Sequence, residues 1–433
     1  MKIGIVTFHC SYNFGSALQA FALKQYLVNK GHDVHIIDYR SKDFDAYRLF
    51  RCSGLKSVVV DFLLFPKNLR RRNAFQAFWR DYFNLTDQTY RGNAAEEELQ
   101  HDMQAYDALI CGSDQIWNLD CTKGPDAPFF LSFASDSSKR IAYAPSLAHA
   151  RFRSDYFTDN DRARISYWLN KFDALSVREA SVAGQFRQLT KKNIEEVLDP
   201  TLLLDVQDYR NVESPQLPNG IEKGKYIFAY TLWENDRMYQ YVDALAQKYN
   251  LTIVYYSGKK IHYESPSINI RGVGPREFLS LIDHAYCIVS NSFHATVFSI
   301  LYGKPFVTFG TEKSSSRMYT LLGKLGLSPE HIISSDSDGH IPTEPFAPEL
   351  DYIKLQELRK GSEDFLCNAH CKALHRKSSD VLSPFPRIHF LVDDLLERLV
   401  HLRSDDFERR CQAAVVLSEL DGEHSELPYR FGA

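Results

Sequence analysis

The first forty residues, MKIGIVTFHCSYNFGSALQAFALKQYLVNKGHDVHIIDYR (1–40), decide the fold class. Residues 3–8 form a continuous apolar strand pattern, which a short polar loop follows. The pattern predicts a helix that Ser16 caps and that stops at Gly31. Residues 33–39 predict a second strand. Strand–helix–strand units of this kind build parallel sheets with right-handed crossovers.

The same rhythm continues in both directions from an irregular stretch, residues 206–224, whose polar part 213–220 contains two prolines and a glycine. It predicts an N-terminal α/β domain (1–205), this linker, a C-terminal α/β domain (225–330) and a mainly helical tail (331–433). The two α/β domains are expected to be Rossmann-like and to face a central cleft. Further strands are predicted at 107–111, 140–144, 174–177, 195–198, 226–231, 252–256, 287–290 and 306–309.

An aromatic and basic stretch at residues 44–91 interrupts this rhythm. One interpretation is an amphipathic helix on an anionic membrane surface. The other is a helix that packs its aromatic side chains on the domain and leaves its arginines in solvent. Asp61 and Asp81 interrupt the positive charge and favour the packing interpretation.

The composition excludes several classes of protein. With 24% charged residues and a net charge of −4, the 433-residue chain has no basic field for a nucleic-acid backbone. No apolar run approaches the ~20 residues of a membrane span, and the start lacks a signal-peptide pattern. Eight scattered cysteines indicate reduced thiols in a cytoplasmic protein. Cys367 and Cys371 lack a second pair at zinc-binding spacing, so no metal is predicted.

Two loops of the N-terminal half carry candidate groups for binding a sugar or an anion. In the first, Asn13, Gly15 and Ser16 surround a helix start whose free amides suit an anion or a sugar hydroxyl. Its single glycine does not make the dinucleotide fingerprint, so no nicotinamide cofactor is expected. The second loop follows a buried strand as GSDQIWN (112–118). There Asp114 is a candidate base, with the alternative that it caps a short helix.

Two later loops carry candidate groups for binding an anionic substrate, and they form the donor side of the predicted cleft. Arg178 follows a buried strand and suits a carboxylate or phosphate, with the alternative that it pairs with Glu179. The strand-to-helix junction 290–295 offers capping side chains, free amides and the imidazole of His294, which can deliver a proton near neutral pH. The next strand ends in a loop with two more cations. The donor-side candidates besides Arg178 are Asn291, Ser292, Phe293, Lys313 and Arg317.

The chain resembles the polysaccharide pyruvyl transferase family from residue 3 to about residue 326. The joint order of five motifs is more specific than any one of them. The LDPTLLL motif is interpreted as structural rather than as part of a site. The five motifs are NFGSALQAFAL (13–23), GSDQIWN (112–118), SVRE (176–179), LDPTLLL (198–204) and SFHA (292–295).

The resemblance implies a glycosyltransferase-B-like architecture and transfer of pyruvate from phosphoenolpyruvate, as co-substrate, onto a sugar as a ketal. No cofactor or metal is implied. Members often carry Arg-Leu-His where this chain has Ser292, Phe293 and His294. The histidine carries over and the arginine does not, so the resemblance implies that Arg178, Arg317 and Lys313 supply the positive charge of the cleft.

The implied roles follow residue by residue. His294 is expected to be the catalytic acid, Asp114 a base on the acceptor and Arg178 the donor clamp. The amides of Ser292 and Phe293 are expected to support the phosphate. The acceptor-side set is Asn13, Gly15, Ser16, Gln115 and Trp117.

Two other functions stay open at this point. One is a nucleotide-sugar-dependent glycosyltransferase on the same architecture, and the other is a non-catalytic glycan-binding relative. The expected partners are phosphoenolpyruvate and a glycan acceptor with a hexose such as galactose or N-acetylmannosamine, lipid-linked at the inner membrane face. Residues 55–83 would then be a membrane-docking surface, with the protein cytoplasmic or peripheral.

Overall fold

A computed structural model describes residues 1–41, 55–92, 94–148, 157–257, 261–310, 312–334 and 342–379. Within these ranges the side chains of residues 55–63, 312–316 and 370–379 are outside the description. The chain divides into two compact units, Met1–Lys372 and Ala373–Ala433. Both sheets lie in the first unit. Residues 380–433, which belong to the predicted helical tail (331–433), lie outside the described residues.

The first sheet has seven strands in the order β3-β2-β1-β4-β5-β6-β7. Every adjacent pair runs parallel, as the alternation of strands and helices predicts. The order places β1 and β4 side by side at the centre, where their carboxyl ends open onto one edge. The strands are β1 (Lys2–Val6), β2 (Asp33–Arg40), β3 (Leu85–Arg91), β4 (Ala108–Cys111), β5 (Lys139–Ala142), β6 (Ala174–Val177) and β7 (Ile194–Glu196).

The second sheet has six parallel strands in the order β10-β9-β8-β11-β12-β13. Both sheets therefore have the Rossmann-like arrangement that the sequence predicts. The central strands β8 and β11 are buried throughout. The strands are β8 (Tyr226–Tyr230), β9 (Thr252–Tyr256), β10 (Ser267–Asn269), β11 (Cys287–Ser290), β12 (Phe306–Gly310) and β13 (Ile332–Ser334).

Helices alternate with these strands along the chain, which completes the predicted α/β fold class. The first is α1, most of whose residues are buried. The last described helix, α12, belongs to the predicted helical tail. The helices are α1 (Phe14–Asn29), α2 (Leu55–Tyr82), α3 (Ala95–Asp102), α4 (Leu119–Thr122), α5 (Asp159–Leu169), α6 (Ala180–Phe186), α7 (Val206–Arg210), α8 (Asp236–Tyr249), α9 (Pro275–Asp283), α10 (Phe293–Leu301), α11 (Glu312–Leu325) and α12 (Tyr352–Ser379).

The aromatic side chains of the second half of α2 face the protein. Phe75, Phe78 and Trp79 are buried, and the Phe78 ring lies 5.9 Å from that of Phe21 in α1. Burying such rings stabilises a fold by about 1.5–3 kcal/mol each. The packing interpretation of this stretch is therefore confirmed for these rings. No helix in the described part of the chain is long and apolar enough to cross a membrane.

Phe14, the first residue of α1, joins the two sheets. Its ring stacks on Phe278 of α9, with centroids 4.6 Å apart, and on Phe75 of α2 at 5.5 Å. The guanidinium of Arg71 lies over the same Phe14 ring at 4.7 Å. These contacts hold the start of α1 against the helices of the second sheet, which brings the loops of both sheets together.

Helix α12 braces the segment that links the two sheets. Arg359 donates through Nε to the carbonyl of Leu202 at 2.6 Å and through Nη2 to that of Leu204 at 2.7 Å. The hydroxyl of Ser362 accepts from the amide of Leu198 at 2.9 Å. Three backbone polar groups of this segment are thereby satisfied, and its path is fixed beside the first sheet.

Candidate active site

The acceptor-side loops meet at the carboxyl ends of β1 and β4. Ser16 donates its hydroxyl hydrogen to Oδ2 of Asp114, with the oxygens 2.5 Å apart. The prediction that Ser16 caps α1 is wrong. Asn13 caps the helix instead, because its Oδ1 accepts from the amides of Gly15 at 2.9 Å and Ser16 at 3.3 Å.

Gln19 holds the Asp114 loop in place. It is fully buried on α1, donates to the Thr7 hydroxyl at 2.9 Å and accepts from the amide of Ser113 at 3.1 Å. Asp114 itself adopts a left-handed backbone with φ of +67°, and its Oδ1 accepts from the Gln115 amide at 2.9 Å. The alternative that Asp114 caps a short helix does not describe these contacts. Sequence reasoning missed Gln19, although a polar residue on an otherwise apolar helix face is a signal for such a role.

Arg178 and His294 meet at one carboxylate, that of Asp199. Arg178 donates from Nη1 to Asp199 Oδ2 at 2.7 Å, and His294 Nε2 lies 3.7 Å from the same oxygen. Asp199 Oδ1 accepts from the amide of Thr201 at 3.0 Å and from its hydroxyl at 2.6 Å. The sequence assigned the Asp199 segment a structural role, and the structure places its carboxylate between two predicted site residues.

The buried side chains of Asp199 and Arg178 stabilise each other's charged form. Burial raises the pKa of Asp199, but the contacts with His294 and Arg178 lower it by more than burial raises it. The pKa of Asp199 therefore lies well below the usual range. Burial lowers the pKa of Arg178, but the carboxylates of Glu179 and Asp199 raise it above its ordinary value. The same Asp199 oxygen that accepts from Arg178 thus faces His294 Nε2 at 3.7 Å.

Glycine at position 15 allows α1 to approach His294. A Cβ on Gly15 would lie 2.1 Å from His294 Nδ1, which is closer than any real contact. The imidazole therefore packs directly against the backbone at the start of α1. An acceptor-side residue and the proposed acid are thus neighbours, although 279 positions separate them in the sequence.

Glu179 forms the second ion pair of Arg178. Arg178 Nε donates to Glu179 Oε1 at 3.0 Å, and the hydroxyl of Ser146 donates to the same oxygen at 2.7 Å. The amide of Ser146 donates to the carbonyl of Asp114 at 2.9 Å. The predicted alternative, a pair between Arg178 and Glu179, is therefore present together with the contact to Asp199. A continuous chain of hydrogen bonds joins the Asp114 loop to Arg178.

Phe293 brings a second arginine into the cluster. The guanidinium carbons of Arg178 and Arg317 lie 4.6 and 5.4 Å from the centre of its ring. Burial lowers the pKa of Arg317, and the nearby charge of Arg178 lowers it further. Arg317 thus lies close enough to interact electrostatically with Arg178, Glu179 and Asp199. The side chain of Lys313 is outside the described residues.

Four buried polar atoms of this cluster have no hydrogen-bond partner among the described residues. They are Arg178 Nη2, Glu179 Oε2, His294 Nε2 and Arg317 Nε. A buried polar group without a partner costs about 1–3 kcal/mol, and native proteins seldom collect four in one place without a ligand to satisfy them.

A narrow cavity of about 20 Å³ adjoins the cluster. It holds about one water molecule, so a larger ligand requires these side chains to move apart. Its lining includes Arg178, Asp199, Phe293, Arg317 and Lys324.

The expected positive crevice is not what the described side chains form. The guanidiniums of Arg178 and Arg317 face three carboxyl groups, those of Asp114, Glu179 and Asp199. Lys324, at the edge of the cavity, is already paired with Glu196 at 2.8 Å.

Trp117 lies in the core and not at an acceptor site. Its side chain is 1% exposed, stacks on Phe130 with centroids 5.1 Å apart and donates from Nε1 to the carbonyl of Phe129 at 2.9 Å. The predicted sugar contact is not possible from this position, because neither ring face is free. The side chain of Gln115, the other predicted member of this loop, is half-buried and accepts from Asn118 at 2.8 Å.

Two predicted donor-side groups are used within the second sheet. Asn291 accepts from the amide of Leu232 at 2.7 Å and donates to the carbonyl of Trp233 at 2.9 Å, so it shapes the loop after β8. The Ser292 hydroxyl caps α10, and its amide donates to the hydroxyl of Ser290 at 2.9 Å. The Ser292 amide expected to be free for a phosphate is therefore occupied in this conformation.

One group of metal-ligating atoms lies elsewhere in the described part of the chain. Side-chain ligand atoms of Glu213, Asp283 and His284 fall within 4.8 Å of one another. Arg210 donates to both carboxylate oxygens of Asp283, at 3.2 and 3.1 Å. Because a guanidinium already occupies the position of a cation, we assign no metal site to this group.

The fold and cluster define a two-sheet α/β protein with a histidine–aspartate–arginine site between its sheets. The chain belongs to the polysaccharide pyruvyl transferase family, whose model matches residues 13–313. This match includes the four loops that carry the site. No curated protein sequence matches the chain.

Solved structures with a similar arrangement share little sequence with the chain. One is UDP-GlcNAc 2-epimerase from Neisseria meningitidis bound to UDP-GlcNAc (8% identity, TM-score 0.46, 86% of this chain and 94% of that one). Another is the UDP-GlcNAc 2-epimerase from Methanocaldococcus jannaschii (12%, 0.43, 83% and 92%). A third is the glycosyltransferase SnogD from Streptomyces nogalater (13%, 0.40, 87% and 99%). Likeness at this level carries no conclusion about activity.

Proposed function

We propose that this protein transfers pyruvate from phosphoenolpyruvate onto two hydroxyls of a sugar, as a ketal, during exopolysaccharide or capsule biosynthesis. Membership of the family supports pyruvyl transfer to a polysaccharide. The observation that carries the proposal for this chain is the convergence of Arg178 and His294 on Asp199, beside four buried polar atoms without partners. The donor, the acceptor and the roles of the residues below are parts of this proposal.

Phosphoenolpyruvate has a carboxylate and a phosphate group, and the cluster offers hydrogen-bond donors for both. Arg178 Nη2 and Arg317 Nε are buried without partners among the described residues, and guanidinium groups bind such anions in a planar fork. Phe293 lies against both guanidiniums and orients them. Because the adjoining cavity has room for about one water molecule, donor binding must widen it.

His294 is the proposed acid. A protonated imidazole gives its Nε2 proton to the methylene carbon C3 of phosphoenolpyruvate, and C2 becomes an oxocarbenium-like centre. Asp199 stabilises the imidazolium through its charge 3.7 Å away. One sugar hydroxyl then adds to C2 and loses its proton to a base. Inorganic phosphate leaves C2, and the second hydroxyl closes the ring and gives its proton to the now neutral His294. The acceptor thereby gains pyruvate minus water.

Asp114 is the proposed base for the acceptor hydroxyl. Its Oδ2 is held by the Ser16 hydroxyl, and its backbone is held through Ser146. These contacts orient the carboxylate toward the edge where α1 and His294 meet. A base in a fixed position accelerates proton transfer by about 10²–10⁴-fold.

The decisive experiment is mass spectrometry of glycan acceptors incubated with the protein and phosphoenolpyruvate. We expect the acceptor to gain one pyruvate minus water and an equal amount of phosphate to be released, in the presence of EDTA as well. A thermal shift with UDP-sugars and none with phosphoenolpyruvate would instead support a nucleotide-sugar glycosyltransferase. Phosphoenolpyruvate binding without phosphate release under any acceptor would support a non-catalytic glycan-binding relative.

The substitution His294→Ala tests the acid. We expect turnover to fall by about 10²–10⁴-fold, because no other described group is placed to supply the proton. His101→Ala is the matched control, since the His101 side chain is 87% exposed on α3. Near-normal turnover of His294→Ala would show that this residue is not the acid.

We also propose that the acceptor is lipid-linked and that the protein contacts the inner membrane face from the cytoplasm. The buried rings of Phe75, Phe78 and Trp79 are not the docking groups, so contact would use the exposed basic residues of α2, which include Lys67, Arg70 and Arg80. Sedimentation with liposomes that contain or lack anionic lipid tests this. Binding to the anionic liposomes supports the contact, and no binding to either kind removes it.

A further inference from the structure

Glu179 occupies part of the anion-binding face of Arg178. It is 4% exposed, and its Oε1 accepts from Arg178 Nε at 3.0 Å and from the Ser146 hydroxyl at 2.7 Å. Its other oxygen, Oε2, is buried without a partner among the described residues, and so is Arg178 Nη2. The pair therefore uses one oxygen and leaves the two-point fork of an arginine–carboxylate pair half made.

The position of Glu179 in the chain does not explain this contact. Glu179 is the N-cap of α6, and its side chain makes no capping hydrogen bond. Capping positions favour Ser, Thr, Asn and Asp, whose shorter side chains reach the helix amides. Here the amide of Ala180 is satisfied by Glu196 Oε1 at 2.8 Å instead. The Glu179 carboxylate is thus directed to Arg178 and not to its own helix.

The charge at Arg178 is already more than balanced. Its two carboxylate neighbours, Glu179 and Asp199, lie at 3.0 and 2.7 Å. Burial lowers the pKa of Arg178, and Glu179 raises it more than any other neighbouring charge does. Asp199 is held by further bonds to Thr201, whereas Glu179 has an oxygen that no described group holds. Of the two carboxylates, Glu179 is the one that an incoming anion can replace.

We propose that Glu179 occupies the place of the donor's anionic group on Arg178 in the unliganded protein, and that the donor binds by displacing it. This inference rests on the proposed function, since the anion is taken to be phosphoenolpyruvate. Glu179 keeps the buried guanidinium paired when the donor is absent and sets the affinity by competing with it. The displacement also widens the narrow cavity beside Arg178.

The substitution Glu179→Gln tests the competition by isothermal titration calorimetry with phosphoenolpyruvate. The Gln oxygen still accepts from Ser146 and Arg178, so only the charge is removed. We expect the Kd to fall at least about tenfold, because a like charge a few ångströms from the anion is lost. Glu195→Gln is the matched control, since Glu195 is an exposed residue of β7 and its substitution should leave the Kd unchanged.

The outcomes separate this inference from the proposed function. Tighter binding by Glu179→Gln supports the competition, because damage to the site would weaken binding. If the wild type binds phosphoenolpyruvate and Glu179→Gln binds it equally or more weakly, the competition is refuted and the proposed function stands. If neither binds it, the proposed donor itself is refuted.

A second variant covers a failure of Glu179→Gln to fold. Ser146→Ala removes one of the two bonds that hold Glu179 Oε1 and leaves the charge in place. Displacement of Glu179 then costs less, and we expect the Kd to fall by about threefold. An unchanged or higher Kd of a folded Ser146→Ala protein overturns the competition.

Discussion

The two halves of the site differ in how completely their polar groups are paired. Around Asp114, the carboxylate oxygens accept from Ser16 and Gln115, and the loop is held by Gln19. Around Arg178, two ion pairs coexist with four buried atoms that have no described partner. The carboxylate oxygens of the Asp114 half therefore already have hydrogen-bond partners in the unliganded protein. The second half is incomplete, and under the proposed function it is the donor, and not the acceptor, that would complete the site.

Among the changes that test this comparison between the two halves, Gly15→Ala should have the largest effect, because it breaks the contact that joins them. The new Cβ would lie 2.1 Å from His294 Nδ1, so the imidazole must move. A displacement of about 1 Å of a catalytic group costs about 10²-fold in turnover, and we expect a loss of this size in steady-state kinetics.

Gly184→Ala is the control for this change. Gly184 lies in α6, where a Cβ meets nothing within 4 Å, so turnover should be retained. Wild-type turnover of Gly15→Ala would show that the position of His294 relative to α1 is not important for the reaction.

The substitution Asp199→Asn tests the ion cluster of the incomplete half. The substitution removes the charge from one partner of a buried ion pair, and we expect the free energy of unfolding in urea to fall by about 3 kcal/mol. The control Asp136→Asn, whose side chain is 91% exposed beside Arg140, should change it by less than about 1 kcal/mol.

This difference should depend on pH in a defined direction. The pKa of Asp199 is lowered in the folded protein, so its stabilising effect is complete above about pH 4, the pKa of an unfolded aspartate. The effect is lost as pH falls below that value toward the folded pKa. The stability difference between wild type and Asp199→Asn should therefore shrink from pH 5 to pH 3. A difference that grows on acidification would contradict the charged state of Asp199.

The substitution Trp117→Phe should have the smallest effect on activity and sharpen the assignment of the acceptor half. It removes the hydrogen bond to Phe129 and some core volume, and we expect a loss of about 2 kcal/mol in unfolding free energy. The KM for the acceptor should stay unchanged, because the ring is buried. A rise in this KM without loss of stability would return Trp117 to the acceptor site.

Most elements of both sheets could be predicted from the sequence, because long apolar strands and amphipathic helices have strong local patterns. The strands β3, β10 and β13 were missed. The strand β3 reads LTDQTYR, mostly polar, and the other two have three residues each. Such edge strands are defined by their partner in the sheet and not by their own apolar pattern.

The candidate site was predictable in part. Arg178, His294 and Asp114 follow strands, and the carboxyl ends of parallel strands predict a site. Trp117 follows the same kind of strand and yet lies in the core, because a loop pattern does not show in which direction a ring points.

The sequence by itself determined the alternation of strands and helices, the polar loops at the strand ends and the family to which the chain belongs. These are properties of near neighbours, whose spacing sets hydrogen-bonded elements and motifs. Only the tertiary structure decided that Arg178 and His294 share the carboxylate of Asp199 and that Gly15 lies against the His294 imidazole. Contacts across 21 to 279 positions depend on strand order and on how the two sheets pack, and no local pattern encodes these.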